Sequence, residues 1–206
     1  MARQMIYLAS RSPRRRELLK QIGVTFEIAL LREDQKRGSD VDETPQAMEK
    51  PDAYCQRVAR TKAELAAHYM ARRALAGRPR PVLAADTTVV CDNAIIGKPA
   101  DREDAAGMLR RLSGRQHEVI TAVAVALFDR VEQAISISRV WFRPLAEEEI
   151  KRYVATGEPL DKAGAYAIQG RAAAFASRIE GSFSGIMGLP LAETAELLRR
   201  FGIEVV

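Results

Sequence analysis

"MIYLASRSPRRRELLKQIGVTFEIAL" occupies residues 5–30, and its reading sets the fold class. "MIYLA" (Met5–Ala9) is short and apolar, the pattern of a buried strand. Ser12 then stands where a helix N-cap is expected, with Pro13 at the first helical position, where its missing N–H costs nothing. Leu18, Leu19 and Ile22 form the buried face of that helix, and Gly23 stops it. "VTFEIAL" (Val24–Leu30) returns to a strand. Strand, helix and strand within so few residues argue for an α/β protein.

The same alternation continues outward. From Leu31 to Lys50 the periodicity dissolves into charge, glycine and proline, which predicts a long loop carrying Asp42 and Glu43. Pro51 opens a helix expected to reach about Leu75, with Tyr54, Val58, Ala59, Leu65 and Ala66 on or near its inner side. "PVLAADTTVVC" (Pro81–Cys91) predicts a strand that turns tightly into "DNAIIGKP" (Asp92–Pro99). "DREDAAGMLRRLSG" (Asp101–Gly114) predicts a helix capped by Asp101, with Asp104 three residues on. Strands follow in "EVITAVAVALF" and "QAISISRVWFRP", then a helix over 146–155. "LDKAGAYAIQG" (Leu160–Gly170) reads as a Gly-rich strand ending in Gln169, and a last helix runs from near Pro190 to before Gly202. The expected architecture is a mixed sheet flanked by helices, without repeats or low-complexity tracts. A chain of 206 residues suits one domain, 1–206, with room for two lobes around a cleft.

Composition narrows the class. Hydrophobic residues make up 47% and charged residues 29%, values of a globular chain with a real core. Lys and Arg number 32 against 27 for Asp and Glu, a +5 excess that favours anionic partners without choosing among them. Cys55 and Cys91 lack metal-ligand spacing and are too few for a disulfide framework, so they read as reduced thiols. No apolar run approaches the ~20 residues of a membrane span. Glu17 and the short apolar stretch before the arginines fit neither a transit nor a secretory signal, so the cytoplasm is the expected compartment. At 6% aromatic content there is no stacking platform for single-stranded nucleic acid, and nucleic acid is not the expected partner.

Several residues carry possible chemistry. Arg14, Arg15 and Arg16 fall in the first turn of a helix, where the backbone already holds about +0.5 of a charge. They are either a solvated basic face or one wall of an anion site, in which amides, serine hydroxyls and guanidinium forks converge on phosphate oxygens. The glycines of a nucleotide-binding P-loop are missing. Asp86 stands inside the apolar strand "LAADTTVV", where an ionised carboxylate costs several kcal/mol unless paired or metal-bound. Lys98 in "GKP" follows across the hairpin. Lys62 lies on a helix, the usual place of a solvent-facing lysine. Asp42 and Glu43 in "DVDE" are hard oxygen ligands suited to Mg²⁺. Asp161, Lys162 and Gln169 share one segment, and the Gln169 amide can read a base edge as donor and acceptor. His68, His117 and Trp141 read as structural, Trp141 in the core. Carboxylates for a metal, cations for phosphates and a polar base reader together indicate a nucleotide phosphohydrolase.

Seven stretches in order, "LASRSPRRRELL", "DVDET", "AADTTVV", "GKP", "MLRRLSGRQHEVITAVAV", "DKAGAYAIQG" and "GLPLAET", resemble the successive motifs of the Maf, or septum-formation-inhibitor, family. The resemblance spans essentially the whole chain. It implies an elongated α/β fold related to the inosine triphosphatases, with two lobes around a cleft, and often a homodimer. It also implies a divalent cation, Mg²⁺ or Mn²⁺, and cleavage of a nucleoside triphosphate to monophosphate and pyrophosphate. By motif, Asp86 corresponds to the proton acceptor and, with Glu43, to the metal site. Glu43, Lys62 and Lys98 correspond to the charged site residues, and Ser10, Ser12 and Arg14 to the phosphate-contacting N-terminus. Lys162 falls in the substrate-binding "DKAGAYAIQG". Arg14, Thr87 and Gln169 match specificity positions of the subfamily acting on dTTP and UTP; the 7-methyl-GTP subfamily carries Trp, Gln and Glu there. "LLREDQKRGSD" is longer than in many members, which makes Glu33 a second candidate, although the spacing of "DVDET" favours Glu43. The competing class is a non-catalytic nucleotide- or DNA-binding regulator of cell division, which has no obvious use for Asp86.

Overall fold

Strand β1 (Met5–Leu8) lies between β2 (Thr25–Ile28) and β5 (Val82–Cys91), parallel to both, with Leu8 opposite Ile28 on one side and Leu83 on the other. This central placement follows from Ile6 and Leu8, which are fully buried. The computed structural model describes residues 5–31, 33–34, 38–73 and 79–205. The main sheet is open, mixed and seven-stranded in the order β2-β1-β5-β7-β8-β9, where β7 is Gln116–Leu127, β8 Arg130–Phe142 and β9 Ala176–Glu180. β6 (Ala94–Ile96) pairs antiparallel with the end of β5. Asp92 and Asn93 between them have φ of 53° and 58°, the two left-handed positions that a tight two-residue hairpin turn requires. The α/β expectation holds.

The chain divides into two compact units. The first comprises Met1–Asp86, Thr121–Ile135 and Gly188–Val206; the second comprises Thr87–Ile120 and Ser136–Met187. In the first, α1 (Pro13–Gln21), α2 (Pro51–Arg73) and α6 (Leu191–Arg200) accompany the strands. Leu19, Val58, Ala59, Leu83, Leu197 and Leu198 are buried there. In the second, α3 (Arg102–Leu112), α4 (Glu147–Ala155), the one-turn α5 (Phe183–Met187) and three 3₁₀ turns surround a core that includes Leu109, Leu112, Phe142, Ile150 and Tyr166. Asp101 caps α3 as expected by accepting from Asp104 N at 2.9 Å. Asp104 returns the bond one residue earlier than a capping box would, to Ala100 N.

Four expectations are corrected. "LDKAGAYAIQG" is not a strand: it forms 3₁₀ turns at Glu158–Asp161 and Ala163–Ala165 and then a turn closed by Gly170 N donating to Ala167 O. Gly164 and Ala165 take φ of 69° and 57°, values no strand accommodates. The stretch 31–50 is not all loop, since β3 (Glu33–Asp34) and β4 (Gly38–Ser39) pair antiparallel. Trp141 is only half-buried and lies under the Arg178 guanidinium, 4.9 Å from its ring centroid, while the next residue, Phe142, fills the core. Ile22 ends α1 half-buried, leaving Leu18 and Leu19 as its inward face. The predicted end of α2 near Leu75 lies outside the described residues.

Candidate active site

β5 is buried along its length except for half-buried Thr87, and it places the Asp86 carboxylate among apolar neighbours. An ion there needs a partner. α2 supplies one: Lys62 Nζ lies 2.9 Å from Asp86 Oδ1 and 2.9 Å from Glu43 Oε1. The Lys62 side chain is 14% exposed and that of Asp86 10%, so Lys62 is not the solvated helix lysine its surroundings in sequence imply. Burial draws its pKa down, but Asp86 and then Glu43 outweigh that and leave it above the ordinary lysine value. The ammonium is therefore charged at neutral pH. Cys55, also on α2, donates from Sγ to Asp86 O at 3.3 Å and ties the helix to the strand at the site. Burial, reinforced by Asp86, pushes this thiol up to about 12, so it remains protonated. Both cysteines are buried, and neither is in a disulfide among the described residues.

The turn from β1 into α1 belongs to the same unit. Ser10 is buried, and its Oγ accepts from Ser12 N at 3.2 Å and from Arg15 Nη1 at 3.3 Å. Ser12 holds the N-cap position, but its hydroxyl makes no capping bond, so the first turn of α1 has no side-chain cap. Arg14 is half-buried and makes no hydrogen bond or ion pair among the described residues. Arg15 is the arginine that turns inward: its Nε donates to Gly188 O at 2.7 Å, 173 residues away. Burial lowers its pKa, opposed chiefly by the charge of Asp86. A guanidinium remains cationic despite such a shift. The sequence signal, three adjacent arginines, was visible; which of them faces Asp86 was not.

Glu43, the residue favoured by the spacing of "DVDET", meets Lys62; the side chain of Glu33 lies outside the described residues. The Glu43 segment, Val41–Thr44, lines a cavity of about 600 Å³. Tyr54 and Arg57 contact this segment and Glu49 pairs with Arg57, and sequence reasoning gave none of the three a role in the site.

The second unit carries the remaining candidates. Lys98 is exposed, and neighbouring Gly97 accepts from Gly164 N at 3.0 Å, tying the "GKP" and "DKAGA" segments together. Lys162 Nζ donates to Glu158 O at 2.7 Å and pairs with Asp161. Gln169 is exposed in its turn, with no hydrogen bond among the described residues. His117 is buried against Phe142 and Tyr166 and shares a 2.8 Å hydrogen bond with the Tyr166 hydroxyl, a structural setting as expected. His68 is exposed on α2.

No group of three or more His, Cys, Asp or Glu among the described residues forms a ready metal cage. Asp86 and Glu43 nonetheless suit a magnesium-like ion, which binds through one or two carboxylates and completes its shell with water and substrate phosphates. Their Oδ1 and Oε1 atoms flank one ammonium nitrogen, so the two carboxylates already converge.

The Maf-like protein family model matches residues 5–201. This chain belongs to the Maf family. Relatives named dTTP/UTP pyrophosphatase include one from Dechloromonas aromatica, 54% identical over 96% of this chain and 97% of its own length. Another, from Aromatoleum aromaticum, is 56% identical over 96% and 95%. A third, from Burkholderia orbicola, is 57% identical over 95% and 92%. The Maf family resemblance read from the seven motifs is thereby upheld.

Proposed function

We propose that this Maf protein hydrolyses dTTP and UTP to the nucleoside monophosphate and pyrophosphate, with residues 1–206 acting as one catalytic domain. The observation that carries the reading is the constellation of largely buried Asp86 and Lys62 with the more exposed Glu43, in the unit that also holds the arginine-rich start of α1. The names of the relatives supply the substrates.

Asp86 orients the attacking water and takes its proton as the α–β anhydride breaks and the bridging oxygen leaves with pyrophosphate. Lys62 keeps Asp86 and Glu43 together and holds positive charge where negative charge develops. Ser10, Ser12, Arg14 and inward-facing Arg15 offer hydroxyls and guanidinium donors to phosphate oxygens. Asp86 and Glu43 would hold the divalent cation that the family implies; bound there, it neutralises triphosphate charge. Lys98 and Lys162 enter by motif as further phosphate contacts, and Thr87 and Gln169 as readers of the pyrimidine. A homodimer and a cytoplasmic location are part of the same reading. No helix among the described residues is long and apolar enough to cross a membrane.

Product analysis tests the reading directly. UTP or dTTP incubated with the protein and Mg²⁺ or Mn²⁺ is expected to give monophosphate and pyrophosphate in equal amounts. Diphosphate and orthophosphate as products would rule it out.

A further inference from the structure

Three consecutive main-chain carbonyls at the base of Glu43 are held by two side chains of α2. Arg57 donates from Nη1 to Asp42 O at 3.2 Å and from Nη2 to Thr44 O at 3.0 Å. Between them, the Tyr54 hydroxyl donates to Glu43 O at 3.0 Å. Arg57 also forks onto Glu49, with Nε 2.7 Å from Oε1 and Nη2 2.8 Å from Oε2. Glu49 Oε2 in turn accepts from Gln46 N at 3.0 Å, and Asp42 Oδ1 accepts from Thr44 N at 2.8 Å. The Arg57 guanidinium lies 5.6 Å from the Tyr54 ring centroid, so the two grips brace each other.

An exposed ion pair contributes little, because solvent screens it and long side chains lose entropy in forming it. This one differs in geometry. It is bidentate, the Glu49 side chain is only 9% exposed, and the guanidinium spends further donors on backbone. The Glu43 side chain, by contrast, is 43% exposed and extends from a segment without helix or strand. Its short contact to Lys62 cannot by itself fix the direction from which its carboxylate arrives. Tyr54 and Lys62 are eight residues apart on one helix, about two turns. The helix thus holds the backbone of the segment at one level and meets its carboxylate at another.

We infer that Arg57 is a positioning residue, which with Tyr54 as second grip and Glu49 as anchor sets the Glu43 carboxylate against Lys62. The inference rests on the proposed reading of Glu43 as part of the catalytic site. Arg57 touches neither Lys62 nor Asp86; it acts through the loop. Arginine is required for its planar fork, which a lysine of equal charge cannot reproduce.

A double-mutant cycle tests this on the full chain with UTP. Misplacing a catalytic group by about 1 Å can cost about 100-fold, so Arg57→Ala is expected to lower kcat roughly 10- to 100-fold. Arg57→Lys should recover little of that. In a Glu43→Gln background, Arg57→Ala should cost less than about threefold more, because the group it positions is already disabled. Hydrogen exchange of peptides covering 41–50 should quicken in Arg57→Ala while peptides from α3 and α4 do not change. Glu49→Gln, which leaves the arginine in place and weakens its anchor, should show the same pattern to a smaller extent and serves if Arg57→Ala does not fold. Additive losses from Arg57→Ala and Glu43→Gln, full kcat in Arg57→Lys, or unchanged exchange over 41–50 would each overturn the positioning role. A wild-type protein that leaves UTP intact would instead overturn the catalytic reading beneath it.

Discussion

At the scale of the residue, the site turns on one lysine serving two carboxylates. Lys62 removes the cost of ionised Asp86 within β5 and brings Glu43 to the same nitrogen. Asp86→Asn keeps the size and one acceptor of the side chain but removes the charge that Lys62 answers. The expected result is a folded protein with turnover reduced ~10²–10⁴-fold, the usual scale for losing a general base. Steady-state kinetics on a variant checked by circular dichroism decides it; near-normal kcat would remove Asp86 from the chemistry. Asp86 was legible because an apolar strand rarely carries a carboxylate that has neither a partner nor a task. Arg15 was not, because successive helix residues point about 100° apart and sequence alone does not fix the rotation of α1. Its direction depends on Gly188, far away in the chain.

At the scale of the element, the regular pieces read well and the irregular ones did not. β5 and β7 announce themselves as apolar runs, and α3 by its cap, because each signal is local. The 157–171 segment misled because small apolar residues beside glycines suit a strand as readily as a series of tight turns. Its course is set by contacts outside it, of which Gly164 is the clearest. With φ of 69°, a Cβ there would also come within 2.9 Å of Val89 Cγ2. Left-handed strain and overpacking add, so Gly164→Ala should destabilise the fold by about 2–4 kcal/mol. A urea titration measures this directly. A loss under ~1 kcal/mol would mean that Val89 and the turn yield more easily than this packing implies.

At the scale of the whole molecule, acid should weaken the fold in stages. Burial pulls His117 down to about 4 from an ordinary 6.5, so the unfolded chain binds a proton there before the folded one does. Stability is therefore expected to fall as pH drops from about 6.5 to about 4, with an upper bound of about 3 kcal/mol from this group. Glu49, held down to about 2 by Arg57 and then by Gln46 N, adds a later loss as pH falls from 4.5 toward that value. His117→Gln cannot titrate and can still bond Tyr166, so its urea midpoints between pH 6.5 and 4 should vary less than those of wild type. Equal slopes in the two proteins would contradict the assignment. Two lobes were expected from the sequence, but where the chain divides into its two units was not legible along it. Its boundaries at 86/87, 120/121 and 135/136 fall inside β5, β7 and β8, where composition gives no linker signal.

The bond from Arg15 to Gly188 has a consequence for synthesis on the ribosome. Helix α1 is synthesised well before α6, and its inward arginine waits for a carbonyl 173 residues later. At about 5–20 residues per second, that interval is roughly 10–35 s. Every residue of the second unit leaves the peptidyl-transferase centre before Gly188 is added. Vectorial translation therefore gives the later-starting unit the first opportunity to close, while nascent β1 and α1 must keep their apolar faces from premature association until α6 arrives.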